Sequence, residues 1–199
     1  MLTRLGAWCG ALAGLAIAVP GAIEAFTGES APTSFVLGLS PAFAVPLLTV
    51  LHLRQAAAAG TFGAVAYTLN AVGLGLFGGA AFTLNLALFF LDEKVAGELL
   101  RGPTMVALLG SALVFAAGAA LFGVAMLRAG IHPRVPAVGY LVALPVLAVA
   151  ARLPDTPVTS VVHVVAGGSL VWLSVAAGHR TDPARKPCGG TRPRRSRRR

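Results

Sequence analysis

Long runs without a charged residue constrain this chain more than any other feature. The runs cover residues 5–23, 30–53, 55–91, 102–127, 135–151 and 156–178. A helix that crosses a bilayer needs about 20 mostly apolar residues. Only 12% of the 199 residues are charged and 56% are hydrophobic, whereas a soluble domain carries about 25% charged residues. The chain therefore lacks the composition of a water-soluble domain, and its runs predict helices that cross a membrane.

We predict an all-α fold, a polytopic bundle of six transmembrane helices that makes residues 1–178 one domain. The expected helices cover residues 5–23, 35–53, 61–91, 104–127, 135–151 and 158–177. The run at 55–91 is longer than one crossing requires. It is either one tilted helix with protruding ends, bent at the sequence GLGLFGG, or a segment that folds back there and crosses twice.

The positions of the basic residues favour one crossing for this run. Cytoplasmic loops close to membrane spans are enriched in Lys and Arg. Six crossings with both termini in the cytoplasm place thirteen of the sixteen basic residues inside and six of the seven acids outside. Seven crossings divide the basic residues eleven to five at best. We therefore expect a cytoplasmic N-terminus and a cytoplasmic C-terminus.

The first helix contains a sequence that resembles a signal-peptidase site, AIA at residues 16–18. Further crossings follow it at once, and Pro20 crowds the site. We expect the first helix to be retained.

The end of the chain, residues 179–199, is strongly basic and contains no apolar positions that could form a core. We predict a disordered cytoplasmic tail that lies against anionic lipid headgroups, at about 1 kcal/mol per basic residue near the surface. The headgroup contacts are assigned to Arg192, Arg194, Arg195, Arg197, Arg198 and Arg199. Nucleic-acid binding is not expected, because the tail has no aromatic stacking positions and no folded module.

Small residues recur at intervals of four along two of the expected helices. The first helix carries Gly6, Gly10 and Gly14, and the third carries Gly75 and Gly79. Such faces let helix backbones approach closely in a membrane, where water supplies no driving force for association. We predict helix packing through these glycines, which would also suit a homodimer or a membrane-protein partner.

Polar residues within membrane helices are costly and are candidates for function. Helix positions place Glu24, Ser40, Asn85 and His163 near the outer surface at similar depths. They predict a shared polar binding pocket in the outer leaflet. The alternatives are an interfacial role for Glu24, an interhelical hydrogen bond for Asn85 and a satisfied buried position for His163. Asn70, closer to the middle of the membrane, is a weaker candidate for a pathway, and the alternative for it is a local interhelical hydrogen bond.

Signatures of catalysis are missing from the sequence. It contains no HExxH, no GxSxG and no GxxxxGK[ST] motif. The two cysteines lack metal-site spacing and are not expected to form a disulfide, since both lie at or near the reducing side. We predict that the chain is not an enzyme and has no cofactor and no metal site.

One segment resembles known proteins. In LFGVAMLRAGIHPRVPAVGYLVALP, residues 121–145, a helix ends in an LRAG turn, and a PR dipeptide then leads into another apolar helix. This resembles a segment of small, uncharacterised multi-pass inner-membrane proteins of bacteria. The resemblance implies a helical protein of the bacterial plasma membrane and assigns no site residues.

Two classes of function follow from these observations. Short loops, small-residue faces and scarce charges favour a structural, accessory or envelope-sensing membrane protein. The alternative is a small transporter or ligand-binding membrane protein that uses the outer pocket. A deep cavity that reaches past Asn85 would favour the second class, and a closed, fully packed bundle would favour the first.

Overall fold

The computed structural model describes residues 1–150 and 156–179. Within these ranges the regular secondary structure is entirely helical. The helices are α1 (Leu2–Thr27), α2 (Ala31–Phe82), α3 (Glu93–Leu99), α4 (Pro103–Ala129), α5 (Arg134–Ala150) and α6 (Pro157–His179). A π-helical turn at Thr83–Ala87 and a 3-10 turn at Leu88–Phe90 extend α2. Residues 151–155 and 180–199, with the headgroup contacts predicted for the latter, lie outside the described residues.

Helix α2 reverses direction at Gly60, where φ is 56° and ψ is −149°. A positive φ of this kind is readily adopted only by glycine. The rings of His52 and Tyr67 stack with centroids 4.2 Å apart, although a straight helix would separate these residues by about 22 Å. Helix α2 is therefore a hairpin of two antiparallel arms, α2a (residues 31–59) and α2b (residues 61–82).

The hairpin determines which helical segments contain the long charge-free run, residues 55–91. Its first residues finish α2a, the chain turns at Gly60, and the remainder forms a single arm with its π and 3-10 turns. The bend considered at GLGLFGG is absent, because residues 73–79 lie within the regular helix of α2b. Gly60 follows four alanines and lies in the interval 54–60 that separates the expected second and third helices. The charge pattern predicted a turn in this interval but did not identify the residue at which the chain turns.

The six long segments form a closed ring. Going round it, α1 contacts α2a, α2a contacts α2b, α2b contacts α4, α4 contacts α5, α5 contacts α6, and α6 returns to α1. Neighbouring segments are antiparallel, so the chain alternates between two ends. We call them the Glu24 end and the Gly60 end.

Four helices in the described ranges are long and apolar enough to cross a membrane. Helix α2 counts once among them although it has two arms, and α5 is a shorter apolar helix of 17 residues. Large apolar side chains such as Trp8, Leu113 and Trp172 are exposed on the outside of the ring. The chain thus has an outer surface compatible with a membrane protein.

The glycines of α1 pack inside the ring. A β-carbon on Gly14 would meet the backbone of Gly167 on α6, and one on Gly167 would meet the backbone of Gly14. Gly10 and Gly6 lie against Leu47 and Val50 of α2a in the same way. These glycines therefore bring α1 close to both of its neighbours in the same chain.

The other glycine pair does not pack within this chain. Gly75 and Gly79 are exposed, and a β-carbon on either would meet no atom within 4 Å. Helices α2b and α4 instead approach closely at Gly73 and Gly118, each of which lies against the backbone of the other helix. Four-residue spacing did not identify the face of α2b that packs within the chain, because the spacing does not say which side of a helix meets a neighbour.

Candidate ligand-binding cavity

The ring surrounds a cavity of about 240 Å³. Every segment of the ring contributes to its wall. Representative lining residues, in chain order, are Ile17, Leu47, Leu74, Ala112, Tyr140 and Leu170. Leucine, alanine and phenylalanine dominate the wall, so the body of the cavity is apolar.

The cavity is deep. On α6 its wall runs from Thr159 to Leu170, about 16 Å at 1.5 Å per residue. On α2b it runs from Asn85 to Leu74, a similar length. The cavity thus extends well past Asn85 toward the Gly60 end.

Polar residues gather where the cavity meets the Glu24 end. We call this part the mouth. Its polar residues are Glu24, Glu29, Asn85, Thr159 and His163, with Ser40 on the wall of α2a. Glu29 is exposed although it lines the cavity, so the cavity reaches the molecular surface at this point.

All four residues predicted to share a pocket line this one cavity. Glu24 is 6% exposed and Ser40 is 3% exposed, while Asn85 and His163 are half-buried. Counting residues from the helix ends predicted that the four residues lie at a similar depth in the membrane. The ring of helices places all four on the wall of the same cavity. Their role in binding stays a prediction.

The π-helical turn positions Asn85. Such turns insert a residue into a helix and are frequent at functional sites. The Asn85 side-chain amide donates to the carbonyl oxygen of Ala81 at 2.9 Å, and its Oδ1 lies 3.2 Å from the hydroxyl of Ser34. Gly38 of α2a leaves room for this turn, because a β-carbon there would collide with Leu86.

A glycine also makes room for His163. A β-carbon on Gly21 of α1 would collide with the His163 side chain. The His163 Nδ1 atom lies 2.8 Å from the carbonyl oxygen of Thr159, and because a carbonyl can only accept, this nitrogen carries the proton in that bond. The imidazole is therefore held at the mouth by its own helix and by α1.

A buried hydrogen bond lies at the deep end of the cavity. Asn70 of α2b donates from Nδ2 to the Tyr140 hydroxyl of α5 at 2.6 Å. Both residues are buried, and the Tyr140 ring packs against Phe122 with centroids 5.9 Å apart. Because α2b and α5 are not neighbours in the ring, this bond crosses its interior, and Tyr140 also lines the cavity.

Sequence reasoning missed several of these groups. Tyr140 lies in an apolar run and was given no role, although a hydroxyl at mid-membrane is a usable signal. Glu29 and Ser34 precede the expected second helix, residues 35–53, and were not predicted to line the pocket. His132, whose place beside basic residues of the inner face predicts an interfacial position, is 8% exposed, and its Nε2 lies 3.2 Å from the carbonyl oxygen of Leu51.

Neither metal nor dinucleotide chemistry is indicated by the described residues. They contain no group of three or more His, Cys, Asp or Glu side chains that could hold a metal ion. Residues 73–78, GLGLFG, have the spacing GxGxxG of a dinucleotide-binding motif. They lie inside α2b, however, whereas the dinucleotide motif requires a loop between a strand and a helix.

Comparison with known proteins adds no assignment: no family model, no curated protein and no solved structure matches this chain. The site is therefore interpreted from its geometry.

Proposed function

We propose that this chain is a membrane protein that binds a small, largely apolar molecule in the ring cavity, and that the molecule enters at the mouth. The observation that carries the proposal is the depth of the cavity beyond Asn85. A ligand-binding membrane protein is the alternative class that the sequence left open, and a deep cavity beyond Asn85 is the observation that favours it.

The size and chemistry of the cavity support this role. Its volume of about 240 Å³ is larger than that of an engineered apolar cavity of about 150 Å³ that binds benzene. Ligand sites are typically apolar clefts with a few polar groups that fix orientation. The apolar wall and the polar mouth have this arrangement.

We place the chain in the bacterial plasma membrane with six crossings and both termini in the cytoplasm. Arg54, Arg128 and Arg134 lie toward the Gly60 end, and Glu24 and Glu29 lie at the opposite end. The excess of basic residues in cytoplasmic loops supports a cytoplasmic Gly60 end and a mouth on the outer side. The bacterial assignment rests on the resemblance of residues 121–145.

The structural or accessory role favoured by the sequence becomes the second candidate, because a structural role does not account for the cavity. The basic tail keeps its proposed contact with anionic headgroups. The α1 glycines pack within the chain, which removes one argument for a homodimer through that face.

Photolabelling tests the proposed function. The probe is octanol carrying a diazirine, applied to the full chain in lipid nanodiscs, with labelled residues mapped by mass spectrometry. We expect saturable labelling of cavity residues such as Leu48, Phe115 and Leu144, which excess octanol suppresses. Ala112→Phe, which fills the wall at α4, should abolish the saturable component.

Ala117→Phe is the matched control, because Ala117 is exposed on the outside of the same helix. It should leave the saturable labelling unchanged. Labelling confined to outward-facing residues, or cavity labelling that persists in the Ala112→Phe protein, would overturn the proposed function.

A further inference from the structure

A groove lies on the outside of the ring, between α1 and α6 at the Gly60 end. Its volume is about 360 Å³. Its lining runs from Arg4 to Ala11 on α1 and from Ser174 to His179 on α6. None of these lining residues lines the ring cavity. We call this separate site the α1–α6 groove.

Small residues leave the space between the two helices. Ala7 and Gly178 face each other, since a β-carbon on Gly178 would lie 3.8 Å from that of Ala7. Ala11 follows Ala7 by about one turn of α1 and also lines the groove. The exposed side chains of Trp8 and Val175 flank these small residues. The groove therefore has apolar sides and opens to the outside of the ring.

Basic side chains lie at the outer end of the groove. Arg4 and His179 both line it and are exposed. Because α1 begins and α6 ends at the Gly60 end, these two residues lie near the end of the bundle, whereas Ala11 and Val175 lie further toward its middle. The groove is thus polar at its outer end and apolar along its length, which is the order of headgroup and acyl chain in a lipid.

The Gly60 end carries no carboxylate among the described residues. The described acids all lie toward the Glu24 end and are Glu24, Glu29, Asp92, Glu93 and Glu98. The sequence that follows His179, residues 180–199, contains nine basic residues and one acid, so it adds positive charge. The helix dipoles oppose each other here, because the start of α1 favours an anion and the end of α6 favours a cation. The side chains therefore make this end favourable for an anion.

The donors at the outer end suit a phosphate group. An arginine guanidinium presents five N–H donors and pairs with phosphate oxygens bidentately. In either neutral tautomer one ring nitrogen of His179 carries a hydrogen, and the Trp8 indole N–H is also a donor. Further along the groove the Ser174 hydroxyl already donates to the carbonyl oxygen of Leu170 at 2.7 Å. Donors that remain for a ligand are thus concentrated at the outer end.

We infer that the α1–α6 groove binds one anionic phospholipid of the leaflet at the Gly60 end. Its phosphate lies between Arg4 and His179, and an acyl chain follows Ala11 and Val175 toward the middle of the membrane. Basic pockets between membrane helices bind anionic headgroups in this way. The groove is built from two helices and is distinct from the contacts proposed for residues 180–199.

A zwitterionic phospholipid suits the groove less well. Its ammonium group would lie among basic side chains, with no carboxylate near it in the described part of the chain. The inference rests on the proposed membrane placement and is independent of ligand binding in the ring cavity.

Fluorescence quenching by brominated lipids tests the inference, because bromine quenches a tryptophan only at close range. The chain has two tryptophans. The Trp172→Phe protein reports on Trp8 in the groove. The Trp8→Phe protein reports on Trp172, which is exposed on α6 outside the groove. Trp8 lies six residues from the start of α1 and Trp172 seven residues from the end of α6, so the two tryptophans lie at similar depths.

Each full-length protein is reconstituted in phosphatidylcholine vesicles that contain a fixed minor fraction of phosphatidylglycerol. Bromine is carried either by the phosphatidylglycerol or by an equal amount of the phosphatidylcholine. We expect Trp8 to prefer phosphatidylglycerol about fivefold, equivalent to about 1 kcal/mol, which is the contribution of one basic residue near an anionic membrane surface. Trp172 should show a smaller preference.

Arg4→Gln, made in the Trp172→Phe protein, should reduce the preference at Trp8 to that at Trp172. Arg4→Lys keeps the charge but not the paired donors, and its preference should lie between those of Arg4→Gln and the parent protein. Arg134→Gln is the matched control, because Arg134 is exposed at the same end of the molecule and lies outside the groove. It should leave the preference at Trp8 unchanged.

The outcomes separate this inference from the proposed function. Equal preferences at Trp8 and Trp172, or a preference at Trp8 that survives Arg4→Gln, overturn the lipid site and leave the ring cavity and the membrane placement standing. Quenching of Trp172 but not of Trp8 by both lipids also overturns it, because a protein surface then covers the groove. If neither lipid quenches either tryptophan, the membrane placement fails as well. If Arg4→Gln does not fold, as judged by circular dichroism, the Arg4→Lys protein decides.

Discussion

At the scale of single residues, the Asn70–Tyr140 bond is the clearest link between stability and the cavity. It joins α2b to α5 across the ring and so ties together two segments that do not otherwise adjoin. Hydrogen bonds between membrane helices average about 0.6 kcal/mol and reach about 1.7 kcal/mol. With a donor–acceptor distance of 2.6 Å between buried groups, this one should lie toward the upper part of that range.

We expect Tyr140→Phe to lower the free energy of unfolding by about 1 to 2 kcal/mol, because the Asn70 amide is left buried without its acceptor. Denaturant unfolding in detergent, followed by circular dichroism, measures the change. Tyr67→Phe is the control, since the Tyr67 hydroxyl lies 3.3 Å from Thr49 in a half-buried position and should matter less. An equal or larger loss of unfolding free energy in the Tyr67→Phe control would show that the Asn70–Tyr140 bond contributes no more to stability than a half-buried hydrogen bond.

The sequence identified one of the two partners of this hydrogen bond. Asn70 was noted as a polar residue in the membrane, with an interhelical bond as the alternative to a pathway. Its partner could not be named, because the pairing depends on which helices face each other across the ring. Depth along a helix follows from counting residues, whereas lateral order depends on packing.

At the scale of helices, two glycine faces with the same spacing have different environments. Gly14 is buried against Gly167, and Gly75 faces outward with open space around it. Charge and hydropathy run along the sequence and predict the helices well, but they do not tell the packed face of a helix from its exposed face when both are apolar. This is why one of the two predicted glycine faces packs in the chain and the other does not.

Gly14→Leu should destabilise the protein by about 2 kcal/mol or more, because the new side chain would collide with the α6 backbone and overpacking costs about 1 to 3 kcal/mol. Gly75→Leu introduces the same side chain and should change stability by no more than about 0.5 kcal/mol, as exposed substitutions usually do. Thermal unfolding in one detergent compares the two. If Gly75→Leu is the more damaging, that face is covered by another copy or a partner.

At the scale of the whole molecule, ring closure turns scattered polar residues into one site. Composition alone predicts an apolar helical chain, and residue counting places Glu24, Ser40, Asn85 and His163 at similar depth. The space between them exists because α6 returns to α1, which no local pattern encodes. The turn between the expected helices 35–53 and 61–91 was predicted, and its position at Gly60 fixes the direction of every later helix.

Cysteine labelling of a Cys9→Ser, Cys188→Ser protein in intact cells tests the orientation of the ring. Thr61→Cys, beside the turn at Gly60, should react with a membrane-impermeant maleimide only after the cells are opened, and Gly97→Cys in α3 should react in intact cells. The reverse pattern would turn the mouth toward the cytoplasm, so the small apolar molecule of the proposed function would have to enter from that side. Labelling of both positions from one side would contradict the six-crossing topology itself, because α2b with its π and 3-10 turns would then not cross the membrane.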